Sequence, residues 1–331
     1  MEHPPTVQQI FFQHVKDHLP AHLSLVDEVA ELLNISVDSA YRRIRGEKPI
    51  SFEETRTLCS HFRISLDQLF HLETDTLLFT GKFANNEDFN FDGYLLEILR
   101  LLKYINSFQR KEIQFMSKDI ALFHHFHFPE LAAFKSFFWM KTILQYPSYN
   151  KRQFVAGEFP PALSQLCTKV IEEYNSIPSQ EIWHVECIYA TLQQIEYYRD
   201  TKIFASDHDL GKVYDCLQMT LDHLEEQAEH GRKFSPQNRH STQGAPLRLY
   251  INEFVVGDNT YFVQLDDRRL VLLNHSVLNT IRTSDSHFTR CTGDHFQNII
   301  RRSTPISGVG EKERNKFFNV LRDKIAASRN R

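Results

Sequence analysis

Four serines, Ser24, Ser36, Ser51 and Ser65, each stand just ahead of an apolar-periodic run. A serine there accepts a hydrogen bond from a backbone N–H that the helix itself leaves unpaired, so each marks a helix start. Ser51 is followed three residues on by Glu54, the pattern of a capping box, which predicts a helix from Phe52 to about Phe62. Upstream, Val7, Ile10, Phe11, Val15 and His18 recur at helical spacing and predict a helix over 6–18, broken at Pro20. The helix opened by Ser24 carries Leu25, Val29 and Leu32 on one face and ends at Asn34, a residue that tolerates left-handed backbone. The helix opened by Ser36 runs to about Arg45 and stops at Gly46, and the one opened by Ser65 spans Leu66 to about His71. A chain that turns this often, with an apolar stripe on each short helix, has to bury those stripes against one another. Residues 1–73 are therefore expected to form a five-helix domain.

Residues 74–89 lose periodicity and read as a linker. Residues 90–331 are expected to form a larger, mainly helical domain, with helices near 92–109, 112–126, 129–146, 160–174, 179–200 and 207–230 and breaks at Pro129, Pro147, Pro160–Pro161 and Pro178. After a polar loop, His230–Leu247, the period changes to two. A small antiparallel β meander is expected over about 247–274, with turns at Gly257–Asn259 and Asp266–Arg268. Helices over about 286–302 and 311–328 close the chain. The abundance of Phe (27) over Gly (11) favours this mainly α class.

Composition excludes several functions. Net charge is −4 with 24% charged residues, which gives no general affinity for polyanions. No apolar run approaches the ~18 residues of a membrane span, and the first residues carry an acid and prolines where a signal peptide would carry base. The five cysteines are scattered, odd in number and without a CxxC pair, as expected of reduced thiols in a cytoplasmic protein. His124, His125 and His127 lie close in sequence, but only His124 and His127 are at i,i+3 and no acid adjoins them, so aromatic packing is favoured over a metal site. "SGVGEKER" (Ser307–Arg314) lacks the spacing of a nucleotide loop and reads as a glycine turn before a helix. No cofactor, metal or catalytic constellation is expected.

The most informative stretch is "SVDSAYRRIRGEKP". At 100° per residue, Val37, Ala40, Tyr41 and Ile44 fall on one side of the third helix. Asp38, Ser39, Arg42, Arg43 and Arg45 fall on the other. With the short turn Leu33–Asn34–Ile35 before it, this is helix-turn-helix geometry, whose second helix can enter a DNA major groove. A guanidinium reads guanine bidentately or clamps a phosphate. Ser39, Arg42 and Arg43 are expected at base edges or nearby phosphates. Asp38 would accept from a cytosine amino group or orient Arg42. Arg45 and Lys48 suit phosphates, and Ser36 caps the helix with backbone N–H groups that can meet one.

The stretch "VDEVAELLNISVDSAYRRIRGEKPISFEETRTLCSHFRISLDQLF" resembles the lambda-repressor-like, XRE-type helix-turn-helix domain, over about residues 5–72. It departs from the family in having Asn34 where Gly is usual and Ile44 where Glu is common. The resemblance implies double-stranded DNA as partner, a homodimer on paired half-sites, and a bacterial or phage transcription regulator. By analogy of architecture, the remainder would serve oligomerisation or sensing of a small-molecule effector or partner protein. The chain is not expected to be an enzyme. Residues 1–75 hold 7 basic against 12 acidic side chains. This motivates an alternative, a protein–protein interaction module whose helix-turn-helix no longer binds DNA. Residues 301–331 reverse the balance, with nine basic against three acidic side chains, and read as a solvated tail, a second DNA-backbone contact or a cover for an acidic surface.

Overall fold

Thr6 opens the first helix with a capping box to Gln9, and the caps at Ser24, Ser36 and Ser51 form as local chemistry dictates. In the computed structural model, residues 4–19, 23–62, 64–70, 77–81, 90–116, 118–239, 244–254, 259–276 and 278–331 are described. The chain divides into two units, Met1–Leu78 and Phe79–Arg331.

The first unit contains α1 (Val7–His18), α2 (Leu25–Leu33), α3 (Val37–Ile44), α4 (Phe52–Phe62) and α5 (Leu66–Phe70). Its centre is Phe11, Phe12 and Val15 of α1, Val29 and Ala30 of α2, Ala40 of α3 and Leu58 of α4, with Leu66, Leu69 and Phe70 of α5 packed on it. Asn34 ends α2 at φ 51°, ψ 50°, its N–H shared between the carbonyls of Ala30 and Glu31. That left-handed residue reverses the chain tightly enough to lay α3 across α2.

The second unit corrects the expected class. In place of a helical domain with a small meander over about 247–274, it is built on a mixed sheet of eight strands among the described residues. The strands are β1 (Thr80–Gly81), β2 (Lys111–Met116), β3 (Ser179–Trp183), β4 (Leu247–Ile251), β5 (Thr260–Leu265), β6 (Arg268–Asn274), β7 (Thr280–Thr283) and β8 (Thr304–Pro305), in the order β1-β7-β6-β5-β2-β3-β4-β8. β2, β3 and β4 are parallel, so each pair needs a long crossover. The first crossover holds α7 (Leu122–His125), α8 (Pro129–Phe138) and α9 (Pro161–Asn175), and the second holds α10 (Tyr189–Asp200) and α11 (Asp207–His230). The expected meander is real only from β5 through β7; β4 pairs with β3 instead. The stretches expected as helices over 112–126 and 179–200 each begin with a buried strand. Within the stretch expected as a linker, Thr80–Gly81 pairs with β7, and residues 74–76 and 82–89 lie outside the described residues. Of the turn expected at Gly257–Asn259, Gly257 and Asp258 also lie outside them.

Pleating sends Ile113 and Phe115 of β2 into a large core shared with α6 (Phe91–Asn106) and the crossover helices. Met116 and Ile182 point to the other face, under Phe296 and Ile299 of α12 (Ser286–Arg301). The "FKSFFWM" run is core: Phe134, Phe137, Phe138, Trp139 and Met140 are all buried. Gly310, at φ 72°, precedes α13 (Glu311–Arg329), and a Cβ there would come within 2.5 Å of the Pro305 carbonyl oxygen, which explains the glycine.

α13 is a docked element. Phe317, Phe318, Leu321 and Ile325 are buried in the large core. Its cations answer acids of the same unit: Arg322 meets Asp222 and Glu225 of α11, Arg329 meets Asp215, Lys324 meets Glu186, and Arg331 meets Glu196. The acidic surface that the basic terminus covers is therefore its own. Leu321→Ala is expected to lower stability by about 3 kcal/mol in urea denaturation of the full chain, as for a buried leucine. A change under about 0.5 kcal/mol would mean that the helix does not contribute to the core.

Candidate nucleic-acid interface

The orientation of α3 is set by a residue that periodicity assigns to its open side. Arg43 is only 6% exposed. Its Nε and Nη2 donate to the two carboxylate oxygens of Glu54 at 3.2 and 2.6 Å, and Nη1 donates to the Ser39 hydroxyl at 2.6 Å and the Ser39 carbonyl at 3.2 Å. Glu54 also accepts from the Ser51 N–H at 2.9 Å, so one carboxylate caps α4 and anchors α3. The Arg43 hydrogen bonds hold the Glu54 carboxyl below its ordinary pKa.

This pairing turns the helix by roughly 60° from the expected orientation, at 100° per residue. The inward side is Ala40, Arg43 and Ile44. Val37 and Tyr41, expected inside, are 52% and 46% exposed. The outward arc runs Val37, Tyr41, Arg45, Asp38, Arg42. Of the residues expected to meet DNA, Ser36, Asp38, Arg42, Arg45 and Lys48 are exposed, Ser39 is half-buried and engaged by Arg43, and Arg43 faces the domain interior. Ser36 caps α3 by accepting from the Ser39 N–H. Arg45 stacks over the Tyr41 ring at 5.1 Å. Asp38 makes no ion pair with Arg42 among the described residues. The acid nearest Arg42 is Glu47, at 3.9 Å, which also lies 3.7 Å from Arg45.

The turn after α3 is rigidly tied. Gly46 adopts φ 79°, and the Glu47 N–H donates to the Arg42 carbonyl at 2.8 Å. From α1, the Gln8 amide donates to the carbonyls of Arg43 and Lys48 and accepts from the Ile50 N–H, and Gln9 donates to the Arg45 carbonyl. Sequence periodicity could not supply Glu47, Glu54, Gln8 or Gln9, because their partners are on other elements. The one local hint was the Ser51–Glu54 box, which already placed Glu54 at the start of α4.

The second unit holds a buried polar cluster that sequence reading missed. Glu181 on β3 accepts from His124 Nε2 at 2.9 Å, the Tyr174 hydroxyl at 2.5 Å and the Ser179 hydroxyl at 3.0 Å. Burial pushes this carboxyl up, but His124, Lys233 and Tyr174 outweigh it and bring it down to about 2. Lys233 donates to the carbonyls of Tyr174 and Ile177, and burial lowers it to about 7 against the pull of Glu181. Burial likewise holds His127 well below its usual range and His223 at about 4. No group of three His, Cys, Asp or Glu among the described residues is arranged to hold a metal ion. The acid absent next to "FHHFHF" in sequence is supplied in space by Glu181, as a hydrogen-bond partner that fixes β3 against α7.

Searches against protein-family models, curated proteins and solved structures found no match to the chain. Among the described residues no helix is long and apolar enough to cross a membrane.

Glu54→Gln is expected to lower the stability of the first unit by about 2–3 kcal/mol, since it leaves a buried guanidinium without its counter-charge. Because the native Glu54 pKa is depressed, the pair contributes fully above the ordinary carboxyl value of 4.5 and fades as pH falls through the lowered native value. Thermal melts of wild type and Glu54→Gln should therefore converge on acidification. Equal separation at pH 7 and pH 3 would contradict the pairing.

Proposed function

We propose that the chain binds double-stranded DNA sequence-specifically through α3 and the turn that follows it, acting as a homodimeric, cytoplasmic transcription regulator. The observation that carries this reading is the pair of exposed guanidiniums, Arg42 and Arg45, on the outward arc of a helix held by a buried ion pair. A recognition helix has to meet base edges in a fixed register, and the Arg43–Glu54 pair supplies that fixity. Arg42 and Asp38 suit base edges. Arg45, Lys48 and the N–H groups behind Ser36 suit phosphates, which position the helix without specifying sequence. The second unit, with its own large core, would carry dimerisation or response to an effector molecule or partner protein.

A second reading, an interaction module that docks another protein, is favoured by the exposed apolar side chains Val37, Tyr41 and Phe52, the last 91% exposed. The two readings separate by salt. Counterion release makes DNA affinity fall steeply as salt rises, whereas an apolar contact does not.

Selection of bound duplexes from a random pool by the full-length protein is expected to enrich a palindrome. On that site Arg42→Ala should weaken binding by about 5- to 150-fold, the equivalent of about 1–3 kcal/mol for a bidentate base contact, with an unchanged melting temperature. Arg43→Ala should instead lower the melting temperature. An enriched site bound equally well by Arg42→Ala and wild type would overturn the assignment of Arg42.

A further inference from the structure

Among the described residues, Glu47 is the acid paired with both exposed arginines of the α3 face. Its two carboxylate oxygens are divided between them: Oε2 lies 3.9 Å from Arg42 Nε and Oε1 lies 3.7 Å from Arg45 Nη1. Two oxygens of one anion facing two guanidiniums is an arrangement that a phosphate of arbitrary-sequence DNA can also take. All three side chains are half-exposed or more, at 50% for Glu47, 55% for Arg42 and 64% for Arg45, so a phosphate can reach the same nitrogens.

The position is not that of a loose surface side chain. The Glu47 N–H is bonded to the Arg42 carbonyl, the Lys48 N–H shares that carbonyl at 3.2 Å, and Gln8 and Gln9 of α1 hold the carbonyls on either side of the turn. Gly46, at φ 79° and with Thr6 Oγ1 3.3 Å from where a Cβ would sit, sets the turn that brings Glu47 back beside α3. The backbone thus places the Glu47 residue beside both cations, within reach of its carboxylate.

We propose that Glu47 is a built-in phosphate surrogate: it occupies the phosphate position between Arg42 and Arg45, suppresses their affinity for arbitrary DNA, and thereby raises the ratio of specific to non-specific binding. This rests on the DNA-binding reading above. Non-specific affinity comes almost entirely from cations meeting phosphates, so a carboxylate competing for two of them weakens it directly. On the correct site Arg42 offers its Nη groups to a base edge while its Nε stays beside Glu47, so this contact is given up only where a phosphate takes it, on arbitrary sequence, and the cost falls on non-specific binding. The ion pairs themselves are exposed and contribute little to folding, so the effect of Glu47 falls on binding.

The test compares wild type, Glu47→Gln and Glu47→Lys by fluorescence anisotropy. Each is titrated onto a random-sequence duplex and onto the duplex enriched by the full-length wild-type protein, over a series of salt concentrations. Glu47→Gln is expected to bind the random duplex about three- to tenfold more tightly at low salt. Its salt dependence should be steeper, by about 0.9 in log–log slope for each further phosphate engaged, and its specificity ratio should fall. Glu47→Lys should move both quantities further in the same direction. Unchanged or weaker random-duplex binding by both variants, with an enriched site still recognised, would overturn the role of Glu47 alone. Failure of the wild-type protein to enrich any site would overturn the DNA-binding reading and this inference together.

Discussion

The bidentate contact between Arg43 and Glu54 organises the first unit. A guanidinium that is almost wholly buried needs a charged partner, because leaving it unpaired costs several kcal/mol. Glu54 meets that need while its other hydrogen bond holds the first turn of α4. Satisfying Arg43 fixes the rotation of α3, and the rotation decides which side chains face solvent. With Arg43 drawn in, Arg42 and Arg45 can only lie outward, together with Asp38, Val37 and Tyr41. The glutamines of α1 add a second restraint at the same C-terminal end of the helix, on the carbonyls of Arg43 and Arg45. Fold and candidate interface in this unit follow from the same few hydrogen bonds.

The second unit meets the problem of buried charge on a larger scale. Its central strand β3 is buried along its whole length yet reads Ser179-Gln180-Glu181 before its apolar end. Each of those polar residues has partners: Glu181 with His124 and Tyr174, Ser179 with Glu181, and Gln180 with Glu112 at 2.7 Å. Such a network is costly when incomplete, so it favours one register of β3 between β2 and β4 over slipped alternatives. At the chain's end the sign is reversed: the basic residues of α13 meet the acids of α10, α11 and the loop after β3, and an apolar stripe beneath them joins the core.

What could be read from the sequence follows the range of the interactions. The starts of α2 to α4 were legible because a cap is made by residues three apart, and α1 was legible from its apolar period. So were α11, α12 and α13, where long periodic runs end at Gly231 or begin after Asp285 and Gly310. β2 and β3 were not. Their neighbours in the sheet lie more than 60 residues away, and in "KEIQFM" and "SQEIW" the acids and Gln180 find partners comparably far off in sequence. The same limit explains α3. Periodicity alone places an arginine outside, and only the position of Glu54, eleven residues on and across a turn, shows that Arg43 belongs inside while Val37 and Tyr41 do not. Of the outward residues, Ser36, Asp38, Arg42, Arg45 and Lys48 were singled out from charge and spacing and are exposed, whereas Glu47 draws notice only through its distances to two arginines.

The division of labour among the three arginines of α3 is the central claim, and their side-chain Nε–Hε resonances report it one by one. Titration of an isotopically labelled full-length protein with the duplex it enriches is predicted to shift the Arg42 and Arg45 signals while the Arg43 signal, already bonded to Glu54, stays where it is in the free protein. Movement of the Arg43 signal with Arg42 and Arg45 unmoved would contradict the account.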